Sequence, residues 1–248
     1  MPQRITSSIN PILLHRIVRE ETREWDDVSI DTFRKIIEEI NISWTINPDP
    51  INCSSEKWLL TFDDGYISDY EIVFPILDQF GMSAIFFLVY DFVGKDGYLS
   101  WTQIDEMQRN GMIFGSHGVS HQYLTKIPKS DAFAEMRDSK KMIQDRLGVD
   151  VQSFSFPYGD LNDELVGIAS DIGYLNLFSS NHGIINNHKQ VLPRNSINST
   201  MQWPKIRNVI HPGESTKLLW RLEDFVKSFF KNLLGYERYR SFRRFFVK

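Results

Sequence analysis

Apolar runs of strand length alternate with amphipathic stretches of helix length along most of this chain, and that alternation limits its fold more than any other feature. "PILLHRIV" (residues 11–18) reads as a strand. "SIDTFRKIIEEI" (29–40) follows, with Ile30, Phe33, Ile36, Ile37 and Ile40 at helical spacing behind Ser29, a suitable N-cap. The same order recurs. "KWLLTF" precedes "DYEIVFPILDQFG", which Gly81 closes, and "SAIFFLVY" precedes "SWTQIDEMQRNG". "MIFGSH" then leads to "SDAFAEMRDSKKMIQDRLG", and "VQSFSFPYG" to "NDELVGIASDIG". Two short strands, "NLFSS" and "VLPRNSI", come last. Repeated β-then-α order calls for a parallel sheet with helices outside it. About seven strands suit a closed or nearly closed barrel, whose chemistry gathers where strands end and loops begin.

Three polar motifs stand at such strand ends. "TFDDG" follows "WLL", "SHGVSH" follows "MIFG", and "PYGD" follows "FSF". Charged side chains are almost never buried without a partner, so Asp63-Asp64-Gly65 at the end of an apolar run needs a reason. A turn is one, since Asp and Gly form turns. A metal site is another, because His117 and His121 would reach the same rim. Two histidines and one carboxylate make a hydrolytic metal triad with an open position for water. Gly118 favours a loop or single turn over a regular helix for the histidine pair. Of the two adjacent aspartates, one can bind the metal while the other takes a proton from water.

In this order, "TFDDG", "SHGVSH" and "FSFPYG" resemble the polysaccharide deacetylase family (NodB homology, carbohydrate esterase family 4) over about residues 11–197. At roughly 5% usage per residue type, a given five-residue string arises in a chain of this length about once in 10⁴. The resemblance implies a distorted (β/α)7 barrel that removes acetyl groups from N-acetylated sugars with one divalent metal ion. Zinc is the first expectation, with cobalt, nickel or iron as alternatives, since availability often decides selectivity. It also implies that Asp63 is the catalytic base and that Asp64, His117 and His121 hold the metal. Pro157 and Tyr158 would line the groove, with the Tyr158 backbone N–H toward the oxyanion. Tyr66 and Trp101 are further candidates for stacking on sugar rings.

The chain departs from the family pattern in four places, one of them the lack of a clear fourth motif of the Asp-x-x-Asp-Trp kind. The C-terminal Leu-x-His that supplies the acid is missing. "LLH" at residues 13–15 replaces it, as in the circularly permuted poly-N-acetylglucosamine deacetylase branch, so His15 is the expected general acid. Ser155 occupies the position of the arginine that braces the base, and Arg194 in "VLPRNSI" is the expected substitute. Gly118 stands where a Ser or Thr usually orders the histidine loop, leaving Ser116 or Ser120 to compensate.

Composition sets the remaining expectations. The 248-residue chain has a net charge of −4, so overall charge does not mark it as a nucleic-acid binder. Its single cysteine, Cys53, permits no internal disulfide. No secretory apolar core opens the sequence and no run suits a membrane span, which leads to an expected cytoplasmic location. Residues 201–248 carry eleven Lys/Arg against four Asp/Glu, a net of +7. The reading is a catalytic domain over 1–200 and a basic amphipathic helical extension over 201–248. In the extension, Lys217–Lys248 would pack on the barrel or lie on an anionic membrane. The expected substrate is an N-acetylated carbohydrate that is polymeric, lipid-linked or nucleotide-linked, in bacterial surface-polysaccharide assembly. Two other readings remain: a catalytically silent carbohydrate-binding member of the fold, and a hydrolase of another C–N amide.

Overall fold

The structure, a computed structural model, describes residues 9–19, 21–41, 58–185 and 190–234, the last eight by backbone alone. Cys53 and residues 235–248, the end of the expected basic extension, lie outside these residues. The chain divides into two units, Met1–Ile210 and His211–Lys248.

Eight strands of the first unit form one parallel sheet. They are β1 (Asn10–Leu14), β4 (Trp58–Asp64), β5 (Ile85–Leu88), β6 (Ile113–Ser116), β7 (Ser153–Ser155), β8 (Asn176–Phe178), β9 (Val191–Leu192) and β10 (Asn195–Ser196). Their order is β10-β1-β4-β5-β6-β7-β8-β9. The edge strands β9 and β10 belong to one run, "VLPRNS", split at Pro193-Arg194. One half of the run pairs with β8 and the other with β1. Counted as one interrupted strand, it makes a sevenfold (β/α) barrel distorted at that break. Proline cannot donate to a ladder, which suits a break at Pro193.

The expected strand over 11–18 is in fact two. β1 stops at Leu14, and Ile17–Val18 (β2) pairs instead with Val28–Ser29 (β3) in a separate ribbon. Apolar periodicity alone does not reveal this. The two intervening residues, His15 and Arg16, turn the chain at the barrel rim, and the Ile17 N–H donates to Ser68 Oγ at 3.2 Å.

Helices α1 (Ile30–Asn41), α2 (Phe74–Gln79), α3 (Trp101–Arg109), α4 (Lys129–Leu147) and α5 (Asp163–Ile172) follow strands in turn. α1 buries Phe33, Ile36, Ile37 and Ile40, the face that its spacing predicts, and the Thr32 N–H donates to Ser29 Oγ. Ahead of α2, Asp69–Val73 is wound as a π-helix.

The sheet's two faces differ. Phe62 stacks on Phe86 at 5.0 Å and meets Phe33 of α1 edge-on, forming the layer beneath the helices. Leu59, Ile85, Phe87, Phe178 and Leu192 cluster as the barrel interior. Gly115 pairs with Phe87, and a Cβ at Gly115 would fall 2.6 Å from that ring. The interior is therefore closed to any larger residue there. A further helix, α6 (Trp203–Ile210), lies at the N-terminal ends of the strands, beyond the boundary that composition suggested near Thr200. Its last carbonyls accept hydrogen bonds from Asn10 Nδ2 and Trp58 Nε1. The second unit contains α7 (Glu214–Leu234). No described helix is long and apolar enough to cross a membrane.

Candidate active site

Parallel register brings the three motifs to one level. Asp64 pairs with Leu88, Leu88 with Ser116, and Ser116 with Phe154. His117 therefore starts its loop beside the end of β4, and Pro157–Gly159 turns just beyond β7. On the other side of β4, Leu14 pairs with Phe62, so His15 emerges next to Asp63.

Period-2 alternation would send Asp63 and Asp64 to opposite faces of β4. Asp64, however, has φ +76°, and Gly65 after it has φ +73°. The chain turns at once, and both carboxylates reach His117, with Nε2 3.7 Å from Asp63 Oδ2 and 3.6 Å from Asp64 Oδ1. Asp64, His121 and Tyr158 are the three non-glycine residues with positive φ among the described residues. All three belong to the predicted site, in line with backbone strain collecting where surrounding structure holds it for function.

Asp63 is buried against Arg194, which is itself fully buried. Arg194 Nη1 donates to Asp63 Oδ1 at 2.6 Å and Nη2 to Oδ2 at 2.8 Å. Nη2 also donates to Ser155 Oγ at 2.7 Å, and Ser155 Oγ donates to Asp63 Oδ2 at 3.2 Å. Ser155 thus leaves room for a guanidinium arriving from the strand break and bridges it to the carboxylate. Arg194 Nε donates to the Ser179 carbonyl, and the guanidinium lies 5.3 Å from the Phe87 ring centre. Burial alone would push the Asp63 carboxyl up. The Arg194 charge, with help from His117, outweighs it and holds Asp63 well below the ordinary carboxylate range.

Asp64, His117 and His121 each offer one ligand atom, all within 4.8 Å of one another. His121 Nε2 lies 3.3 Å from Asp64 Oδ1. Donors bound at about 2.0–2.1 Å to a tetrahedral ion sit roughly 3.4 Å apart, so the residues fit a small divalent ion. Asp64 Oδ1 is buried with no hydrogen-bond partner among the described residues, which leaves it available to a cation. His117 Nδ1 donates to the Ser155 carbonyl at 2.7 Å, which leaves Nε2 as its ligand atom. Burial pushes both imidazoles down to about 4, so they are neutral, the form that binds metal.

His15 converges on the same carboxylate from the opposite side. His15, Asp26 and Asp64 make a second group whose ligand atoms lie within 4.8 Å of one another. Asp26 is not among the residues that the motifs predict, although "WDD" at residues 25–27 repeats the paired-aspartate signal. Its neighbour Asp27 serves structure, accepting from Arg16 Nε and from the N–H groups of Arg23 and Glu24. Asp69 is fully buried with both oxygens unpartnered among the described residues. Burial first, and then the nearby Asp64 and Asp63, raise its carboxyl well above the usual range.

Aromatic rings flank the group. Tyr158 is partly exposed, 4.4 Å from the His121 ring and stacked on Tyr123 at 3.7 Å. Tyr66 stacks on Tyr98 at 5.2 Å and lies under the Arg16 guanidinium. Pro157 is buried at the start of the turn that carries Tyr158. Trp101, by contrast, opens α3, and its ring contacts are Tyr90 and Arg146.

Fold and site together define a (β/α) barrel with an Asp-His-His group able to hold a metal ion at its strand ends. The polysaccharide deacetylase family model matches residues 52–177, just over half of the chain, and the chain belongs to that family. Among curated relatives, YxkH of Bacillus subtilis (strain 168), whose name is that of a polysaccharide deacetylase, is 34% identical over 121 residues. These make up 48% of this chain and 43% of YxkH. The poly-beta-1,6-N-acetyl-D-glucosamine N-deacetylase of Escherichia coli (strain K12) is 26% identical over 171 residues, covering 52% of this chain and 25% of that protein. Both matches span less than half of the relative's own length. The structure of the Streptococcus pyogenes deacetylase PplD in complex with acetate superposes with a TM-score of 0.74 at 23% identity. That match covers 83% of this chain and 99% of PplD, and it shows the shared fold.

Proposed function

We propose that this chain hydrolyses the acetamide of an N-acetylated sugar to acetate and the free amine. The observation that carries the reading is the convergence of Asp64, His117 and His121 beside an Asp63 held ionised by Arg194. The family supports the reaction class, and the name of the Escherichia coli relative supports a β-linked N-acetylglucosamine polymer as substrate. Asp64, His117 and His121 would hold one divalent ion, with zinc first among the candidates. When bound there, such an ion lowers the pKa of water toward about 7 and polarises a carbonyl. Asp63 accepts the proton of the attacking water. The Tyr158 backbone N–H faces the carbonyl oxygen as negative charge develops on it. His15, across the group from His121, gives a proton to the departing nitrogen. Water thus supplies the oxygen of acetate, and the amine regains its hydrogen.

The deciding experiment is acetate release by metal-reconstituted protein on N-acetylglucosamine oligomers, nucleotide sugars and lipid-linked sugars. Release should fall to background in chelator and return on addition of zinc or cobalt. If no acetate appears from any substrate and no metal binds, the silent carbohydrate-binding reading replaces this one. Release only from other amides would make the chain a different C–N hydrolase.

A second reading concerns location. α7 exposes Leu218, Leu219, Leu222, Phe225 and Val226, with Lys217 and Arg221 in the same stretch, inside a region of net charge +7. The rest of the apolar stripe, Phe229, Phe230, Leu233 and Leu234, lies where side chains are not described. This pattern suits a helix lying on an anionic bilayer such as the inner face of a cytoplasmic membrane, where a lipid-linked sugar would be met. Co-sedimentation with vesicles should occur with anionic lipid and weaken as salt rises. Equal recovery with zwitterionic vesicles, or no binding to either, would refute it.

A further inference from the structure

His117 and His121 are carried by a loop, and a loop that presents metal ligands has to be held. One side of it is tied to the chain after β5. The His117 N–H donates to the Leu88 carbonyl at 2.8 Å, and the carbonyls of Gly118 and Val119 accept from the N–H groups of Tyr90 and Asp91. The other side meets α4, where one side chain does most of the holding. Glu135 Oε2 accepts the N–H groups of Val119 and Ser120 at 2.8 and 2.9 Å. Its Oε1 accepts the Ser120 hydroxyl at 2.5 Å. These three bonds land on the two residues between the turn at Gly118 and His121.

Gly118 itself fits this arrangement. Its φ is +85°, and a Cβ there would stand 3.2 Å from Glu135 Oε2, so a side chain would crowd the carboxylate out of position. Its N–H is held by Ser116 Oγ, which in turn meets Ser139 Oγ of α4 at 2.7 Å. His121 adopts φ +60°, a left-handed conformation that an L-residue keeps only when its surroundings enforce it. Both Glu135 oxygens are committed to the loop, and Glu135 is not one of the convergent ligand group.

We infer that Glu135 is the positioning residue of the metal group: its carboxylate clamps residues 119–120 and so sets the separation of His117 Nε2 and His121 Nε2. The inference rests on the metal reading of Asp64, His117 and His121. A hydroxyl after the first histidine is dispensable here because a carboxylate from α4 orders the loop from outside.

The test is cobalt and zinc affinity of the full chain, measured by competition with a chromophoric chelator, together with the visible spectrum of the cobalt form. Glu135→Ala should weaken binding about 10–100-fold, the usual cost of losing an outer support of a metal ligand. It should also change the cobalt band shape, which a general loss of stability does not do. Glu135→Gln keeps an acceptor for both N–H groups and can donate to Ser120 Oγ, so it should restore most of the affinity and the wild-type band. If Glu135→Ala does not fold, Ser120→Ala carries the test, with weakening of about tenfold expected from the loss of one bond to a charged acceptor. Wild-type affinity and spectrum in Glu135→Ala, or wild-type affinity in Ser120→Ala where that variant has to stand in, would overturn the inference. A wild-type chain that binds neither metal would instead overturn the metal reading itself, and the clamp with it.

Discussion

Asp63→Asn is expected to lower kcat for acetate release by roughly 10²–10⁴-fold, the range that a positioned general base contributes, while zinc and cobalt binding persist. The metal group keeps all three of its residues, because Asp63 is not among them. What is lost is the acceptor for the water's proton. The amide cannot reproduce the present contacts either. Arg194 donates to both Asp63 oxygens, and Ser155 Oγ donates to the second. An Asn –NH2 would face a guanidinium N–H, which leaves a buried charge partly unpaired. Some loss of stability should accompany the loss of rate, so activity is compared at a temperature where circular dichroism shows both proteins folded. Asp63→Asn with undiminished kcat on the substrate that wild type accepts would remove Asp63 as the base.

Arg194→Ala should cause the largest fall in stability of any change at the site. Arg194 is fully buried, and its removal strands a buried carboxylate. Breaking a buried pair in this way costs about 3–5 kcal/mol. At about 2–4 °C per kcal/mol for a domain of this size, Tm should drop roughly 6–20 °C. The sign with pH follows from Asp63, whose carboxyl is held low in the folded state. A depressed carboxylate contributes stability above its unfolded pKa of about 4, and the contribution fades as pH falls through the folded value. The gap between wild type and Arg194→Ala should therefore be widest near neutral pH and narrow in acid. Burial then acts on Asp63 unopposed by the guanidinium, so the acid limb of the pH–activity profile should move to higher pH. A variant with wild-type Tm and an unmoved acid limb would show that the pair neither stabilises the barrel nor tunes the base. Arg194→Lys should not restore function, since an ammonium cannot make the two-pronged contact.

The polar machinery of the site divides according to how far each residue lies from its partners in sequence. Asp63, Asp64, His117 and His121 stand in short strings with distinctive local order, so residue order alone singles them out as candidates. Arg194 is legible only as a substitute for a missing arginine. Its contact with Asp63 spans 131 positions and depends on where the last strand run breaks. Ser155 looks like a loss in the sequence and turns out to bridge the pair. Glu135 carries no signal beyond an acidic residue on a helix, and the paired aspartates at 26–27 do not end a strand as Asp63-Asp64 do. Only packing shows that Glu135 holds the histidine loop and that Asp26 meets His15.

By itself, the sequence determined what depends on local pattern: the β-then-α order, the buried face of α1, the strand ends that bear the polar motifs, and which residues could bind a metal. These follow from side-chain periodicity and residue type, which act within a few positions along the chain. Tertiary structure decided what depends on register and closure. It split the first strand at Leu14 and interrupted the last at Pro193-Arg194, and it placed α6 across the strand starts. It also turned Asp64 back toward Asp63 at φ +76°. The physical reason is that a barrel closes by hydrogen bonds between strands distant in sequence. The energy of each such contact belongs to pairs of residues that no local window contains.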